Sequence, residues 1–210
     1  MKKRVLFAAG FLLLVFIALA FALKQLAPFN STVRSLIGAN LHKPFYSVAI
    51  FLQYFYETEL GTLQTVLWAA AILFLYKSRS GAVLLVAAML AQSVAVNLLK
   101  AVVGSPRPPQ EYFGVFYHNF SYPSGHTCTA VTMTIMLAWI IGCKLKQREG
   151  WPIAAVYAVL ALATAYSRMY LDVHWITDIM GGLTLGGFIS LVFIAAGLSK
   201  KASLQDKAFK

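Results

Sequence analysis

Residues 174–198 read HWITDIMGGLTLGGFISLVFIAAGL, and after Asp178 no charged residue appears up to Leu198. A hydrocarbon core about 30 Å thick is crossed by about 20 apolar residues in a helix. The stretch therefore predicts a transmembrane helix with a histidine and an aspartate, four positions apart, at its mouth. The rest of the chain repeats the pattern. Of 210 residues, 60% are hydrophobic and only 12% are charged, a balance typical of integral membrane proteins. Six spans are predicted, at 5–23, 61–76, 81–99, 127–143, 151–166 and 175–198. They imply an all-α, six-span helical bundle that forms one membrane domain over 1–210, with no internal repeat and no soluble module. Core helices of a soluble protein would not come six in a row with so few charges.

Two segments need separate reading. FYSVAIFLQYFYE, residues 45–57, is apolar and aromatic but short for a span, so it predicts an interfacial or re-entrant helix. The opening MKKR, with Ala18-Leu19-Ala20 further on, resembles a signal peptide. The apolar stretch between them is long for that purpose, and a retained anchor is the preferred reading.

Lysines and arginines set the orientation. With an inside N-terminus, Lys2, Lys3, Arg4, Lys77, Arg79, Lys144, Lys146, Arg148, Lys200, Lys201, Lys207 and Lys210 fall inside. Lys24, Arg34, Lys43, Lys100, Arg107 and Arg168 fall outside, half as many, as the positive-inside rule requires. Both termini are then cytoplasmic in a multi-pass protein of the cell membrane. The net charge of +11 reflects this topology and contact with anionic lipid headgroups. Nucleic-acid binding is excluded, because no basic stripe is interleaved with stacking aromatics in a soluble domain.

Three outside cations stand at unusual places. Lys100 closes the third span, Arg107 follows in SPRPP, and Arg168 follows the fifth span. A cation near hydrocarbon is costly, and one alone reads as a snorkelling anchor. Three on one face ask for a shared anion. The same face carries YPSGHT, residues 122–127, in which Pro123 and Gly125 mark a turn into the fourth span. Free backbone N–H groups at such a helix start bind phosphate well, although a plain N-cap is the simpler reading of Ser124. His126 stands just inside that helix start.

In a helix, Asp178 lies on the same face as His174. A carboxylate on one imidazole nitrogen fixes the tautomer and leaves the other lone pair free to attack. An i,i+4 polar pair is worth only about 0.2–0.5 kcal/mol, a small return for a buried aspartate. Two histidines and an aspartate could hold a metal, but the neighbouring cations would repel it, and no HExxH or DxD pattern is present. Phosphoryl transfer needs its equatorial oxygens neutralised, an in-line nucleophile and an acid for the leaving oxygen. All three are on this face.

KAVVGSPRP, PSGH and SRMYLDVHWITD together resemble the three-part signature of the type 2 phosphatidic acid phosphatase superfamily: Lys-x6-Arg-Pro, Pro-Ser-Gly-His and Ser-Arg-x5-His-x3-Asp. Every signature position is filled between Lys100 and Asp178. The resemblance implies a membrane lipid phosphatase with its active site at the extracytoplasmic membrane edge. It implies His174 as a nucleophile that forms a phosphohistidine, Asp178 as its orienter, and His126 as acid and then base. Lys100, Arg107 and Arg168 would bind the phosphate, with Ser124 and the Gly125 backbone completing the cradle. Pro108, Pro123 and Ser167 belong to the motifs as support. No metal or other cofactor is implied.

The partners are then a lipid substrate and the bilayer, with the oligomeric state left open. Undecaprenyl diphosphate is the preferred substrate. Phosphatidylglycerophosphate or phosphatidic acid is the alternative, as is a lipid phosphotransferase. An anion transporter is a distant alternative, because its ionisable groups would be spread in depth through several spans. The aromatics Tyr112, Phe113, Phe116, Tyr117, Phe120 and Tyr122 read as an interfacial belt or a lipid entrance. Cys128 and Cys143, fifteen positions apart in one span, are about 22 Å apart and form no intrachain disulfide. Gly182 and Gly186 read as close packing within the bundle, and NST at Asn30 matches a glycosylation sequon.

Overall fold

The computed structural model describes residues 1–41 and 44–208, with side chains as far as Leu198. Lys43 and Lys210, two of the cations assigned to sides above, lie outside the described residues. The described residues form eight helices and no strand: α1 Lys2–Phe21, α2 Ala27–Gly38, α3 Phe45–Phe55, α4 Thr58–Phe74, α5 Arg79–Val103, α6 Gly125–Leu137, α7 Gly150–Tyr170 and α8 Ile176–Ala208. A π-helical turn, Ala138–Lys144, prolongs α6.

Among the described residues, five helices are long and apolar enough to cross a membrane: α1, α5, α6 with its extension, α7 and α8 as far as Leu198. The predicted span at 61–76 is α4, which is apolar but only 17 residues long. Within residues 45–57, Phe45–Phe55 form the short helix α3, which packs against α7. Large apolar side chains such as Phe7, Phe11, Leu14, Phe74, Leu90 and Leu162 face outward, as a lipid-solvated surface requires.

α8 is the centre of the bundle, packed against α1, α5 and α6. Its contact with α6 depends on small residues. A Cβ on Gly182 would lie 2.7 Å from the Ser124 carbonyl oxygen, and one on Gly186 would lie 2.9 Å from that of Cys128. The glycine pair thus brings two backbones together inside the bundle, as read from the sequence. α1 is fixed by Tyr122, whose hydroxyl donates to the Phe16 carbonyl at 2.9 Å while the two rings stack.

Helix ends converge at one end of the bundle. α5 stops where Gly104 adopts φ +63° and returns its N–H to the Lys100 carbonyl at 3.0 Å, a left-handed C-cap that suits glycine. The chain then runs through an irregular segment to Ser124, which caps α6. The C-terminus of α7 and the N-terminus of α8 are joined at the same end by a short turn. The opposite end carries Lys2, Lys3 and Arg4 at the start of α1, with Lys77, Arg79, Lys144, Lys146 and Arg148 in or beside its turns.

α2 lies against α7 and α8 at the convergent end. Asn30 is buried there, donating to the Thr177 hydroxyl at 3.0 Å and accepting from the Thr177 N–H at 3.3 Å. It thereby satisfies one of the open N–H groups of α8. This corrects the sequon reading, since a buried, doubly bonded amide cannot carry a glycan. Cys128 and Cys143 are both free.

Candidate active site

His174 does not lie within α8; it precedes it. Its contact with Asp178 is made by a helix cap and not by an in-helix pair. Asp178, in the first turn, turns its Oδ2 back to accept the Trp175 N–H at 2.8 Å, half of a capping box. The same oxygen lies 3.2 Å from His174 Nδ1 and accepts the Ser121 hydroxyl at 2.5 Å. Asp178 is fully buried and His174 nearly so. With acceptors gathered on Nδ1, that nitrogen carries the proton, and Nε2 presents its lone pair. Nε2 lies 3.3 Å from Arg107 Nη1. Burial, and then the charges of Arg107, Lys100 and Arg168, hold the His174 pKa well below its ordinary value of 6.5.

The three cations converge on this point. Lys100 is buried in the last turn of α5 and donates to the Phe120 and Ser121 carbonyls at 2.5 and 3.2 Å. It is therefore no snorkelling anchor. Arg107 donates to the Asn119 carbonyl and side chain and to the Val173 carbonyl, and lies over the Tyr117 ring at 4.7 Å. Burial lowers its pKa to about 10, opposed by Asp178, so it stays charged at neutral pH. Arg168, in the last turn of α7, is fully buried. Its Nε donates to the Ser167 hydroxyl at 3.3 Å, and neither Nη nitrogen has a hydrogen-bond partner among the described residues. Ser167 in turn donates to the Thr164 carbonyl, which gives this motif residue a defined task in orienting Arg168.

Ser124 is buried, and its hydroxyl accepts weakly from the Thr127 N–H at 3.5 Å as the N-cap of α6. Its own N–H donates to the Asp178 carbonyl at 3.0 Å, which joins the two helix starts. Pro108 and Pro123 are buried on either side of the irregular segment. Gly125 and His126 line a cavity of about 290 Å³, together with Lys100, Arg107 and His174. The cavity continues as a groove between α4 and α5, along Thr62, Thr65, Gln92, Ser93 and Asn97. Gln92 stands eight residues before Lys100, or about 12 Å along the helix.

A histidine nitrogen backed by a carboxylate, a second histidine and two cations around one cavity, with a third cation, Arg168, buried close by, make a constellation suited to phosphoryl chemistry. The sequence model described as the PAP2 superfamily matches residues 81–201. The chain belongs to the PAP2 superfamily. Among curated PAP2 relatives, phosphatidylglycerophosphatase B of Bacillus subtilis is 27% identical over 152 residues, covering 69% of this chain and 72% of the relative. An undecaprenyl-diphosphatase of Sulfolobus acidocaldarius is 27% identical over 211 residues, covering 94% and 96%. The crystal structure of a transmembrane PAP2-type phosphatidylglycerolphosphate phosphatase from Bacillus subtilis superposes with a TM-score of 0.78. At 22% identity it covers 93% of this chain and 97% of its own, a likeness of fold.

The PAP2 motifs do not contain every residue at the site. Ser121 bridges Asp178 and lies 3.2 Å from His174 Nδ1. Asn119 holds two nitrogens of Arg107. Asp172 is buried in a left-handed conformation, φ +59°, and takes a bidentate pair from Arg34 of α2 at 2.7 and 2.8 Å. That clamp fixes the turn two residues before His174. The aromatics of the irregular segment divide. Tyr122 is buried, Tyr117 lines the cavity and Phe113 stacks on Tyr170, while Phe116 and Phe120 are exposed. Only the last two suit a belt at the membrane interface.

Proposed function

We propose that this chain is a membrane lipid phosphatase that hydrolyses a lipid phosphate or diphosphate through a phosphohistidine on His174. The observation that carries the reading is the environment of His174: Nδ1 against Asp178 and Nε2 at the cation cluster. In this reading the phosphate replaces Arg107 as the neighbour of Nε2. Lys100, Arg107 and Arg168 neutralise its oxygens, and the N–H groups at the Gly125 helix start add donors. Ser124 acts through the turn it caps. Nε2 attacks phosphorus, the bond from phosphorus to the lipid oxygen breaks, and that oxygen takes a proton from His126. Water then attacks the phosphohistidine and gives a proton to His126 as the P–N bond breaks. Arginine and lysine take the place a divalent ion holds in other phosphoryl-transfer sites, so the reaction needs no metal.

In the same reading the whole chain is one membrane domain, α4 is the sixth span, and both termini are cytoplasmic. The charge difference between the ends of the bundle supports this orientation, in which the site faces outside. A cysteine introduced between 108 and 120 should react with an impermeant maleimide in intact cells. Protection until the cells are permeabilised would reverse the topology.

Undecaprenyl diphosphate is the preferred substrate, supported by the relative of that name that aligns over 94% of the chain. A glycerophospholipid phosphate is the second reading, supported by the phosphatidylglycerophosphatase B of Bacillus subtilis, which aligns over 69% of this chain. Purified protein should be assayed on undecaprenyl diphosphate, phosphatidylglycerophosphate and phosphatidic acid in EDTA, with and without an acceptor alcohol. The expected result is full activity in EDTA, highest kcat/KM on the diphosphate, and phosphate released to water. A strict metal requirement would remove the charge argument. A preference for phosphatidylglycerophosphate would select the second reading, and transfer to the alcohol would mark a phosphotransferase.

A further inference from the structure

Glu57 lies in the turn between α3 and α4, outside the three signature motifs. It occupies the N-cap position of α4, yet its side chain makes no capping hydrogen bond. The carboxylate reaches instead into the cavity. Its Oε2 lies 3.4 Å from His126 Nε2 and accepts the Tyr117 hydroxyl at 3.2 Å. The second neighbour of His126 Nε2 is the Gln53 carbonyl of α3, at 3.1 Å.

Both neighbours of Nε2 are acceptors, so this nitrogen keeps its proton whether the ring is neutral or charged. The other ring nitrogen, Nδ1, is then the one that gains and loses a proton. A carboxylate beside the ring favours the imidazolium, the form that gives a proton to a leaving oxygen. The other charged or titratable groups around His126 are Arg168 of α7, His174 of the α7–α8 turn and Tyr117. Burial first, and then the two cationic or basic groups, oppose that form. Glu57 is the carboxylate that works against them. It is held below its ordinary carboxylate pKa, first by the hydrogen bond with His126, so it is ionised across the working range.

We propose that Glu57 is the positioning residue for His126, as Asp178 is for His174, so that the site contains two carboxylate–histidine pairs with opposite tasks. One pair prepares a nucleophile, and the other favours the charged form of an acid beside a cluster of cations. The inference rests on the proposed role of His126 and assigns to the α3–α4 turn a part in the reaction.

The test compares Glu57→Gln, Glu57→Asp and His126→Ala on two substrates. One is a lipid phosphate with an alkoxide leaving group. The other is p-nitrophenyl phosphate, whose phenolate departs without a proton. His126→Ala should lose far more activity on the lipid than on the aryl ester; equal losses would sink the acid role itself. Given that split, Glu57→Gln should lower kcat/KM on the lipid about tenfold or more and change the aryl ester by less than about threefold. The alkaline limb of its pH profile should move down by about one unit, because loss of the negative charge makes His126 easier to deprotonate. Glu57→Asp should recover part of the lipid activity. In the His126→Ala background, Glu57→Gln should add little. Equal losses on both substrates with an unmoved pH profile would make Glu57 a structural residue and overturn the inference.

Discussion

His174→Ala is expected to reduce phosphate release from the lipid substrate by on the order of 10⁴-fold or more, because no other group can form the covalent intermediate. The protein should still fold. Asp178 keeps its bonds to the Trp175 N–H and Ser121 when the ring is removed. A rapid-quench experiment with radiolabelled substrate gives the sharper readout. Wild type should carry an acid-labile, base-stable label on the protein, and the variant should carry none. Turnover within tenfold of wild type, or an undiminished label, would move the nucleophile elsewhere. The low pKa of His174 adds a sign. A group held below 6.5 stays neutral, and therefore nucleophilic, at neutral and mildly acid pH. The acid limb of the kcat/KM profile should accordingly fall below that value.

Arg168→Lys should be nearly as damaging although the charge is kept. The guanidinium is fully buried, with Nε fixed on Ser167 and both Nη nitrogens without a hydrogen-bond partner among the described residues. Buried donors of this kind are normally satisfied, so the arrangement suits a two-pronged grip on phosphate oxygens. Lysine brings one compact ammonium on a shorter reach and cannot span two oxygens. A loss of about 10²–10³ in kcat is expected, with a smaller change in KM, since the grip tightens as charge builds on the equatorial oxygens. Near wild-type kcat in the lysine variant would show that charge alone suffices at this position.

Much of the site was legible because its residues sit at helix ends and carry improbable chemistry for their surroundings. Lys100, Arg168 and Asp178 stand at the mouths of apolar runs, where a charge without a task would be costly. The family motifs then gave them roles. The structure changed how some of them act. His174 meets Asp178 through a cap, which periodicity alone cannot distinguish from an in-helix pair. Ser124 turned out to cap α6 and to tie it to α8 through its backbone. Glu57, Ser121 and Asn119 were not legible, because polar residues in turns are common and nothing local marks them. Their partners lie far away in sequence, as Glu57 does from His126 and Ser121 from Asp178. The span read at 61–76 is a helix of only 17 residues, with Glu59 and Gln64 among them, at the lower edge of what spans a bilayer.

The Arg34–Asp172 clamp has a bearing on what counts as the working enzyme. The family match begins at residue 81, and all three signature motifs lie beyond it. Yet Arg34 locks the turn before His174, Asn30 holds the first turn of α8, and Gln53 and Glu57 hold His126. A fragment cut at the boundary of the matched region would contain every signature residue and still be missing walls of its own active site. The unit that keeps these contacts extends well before the region by which the family is known.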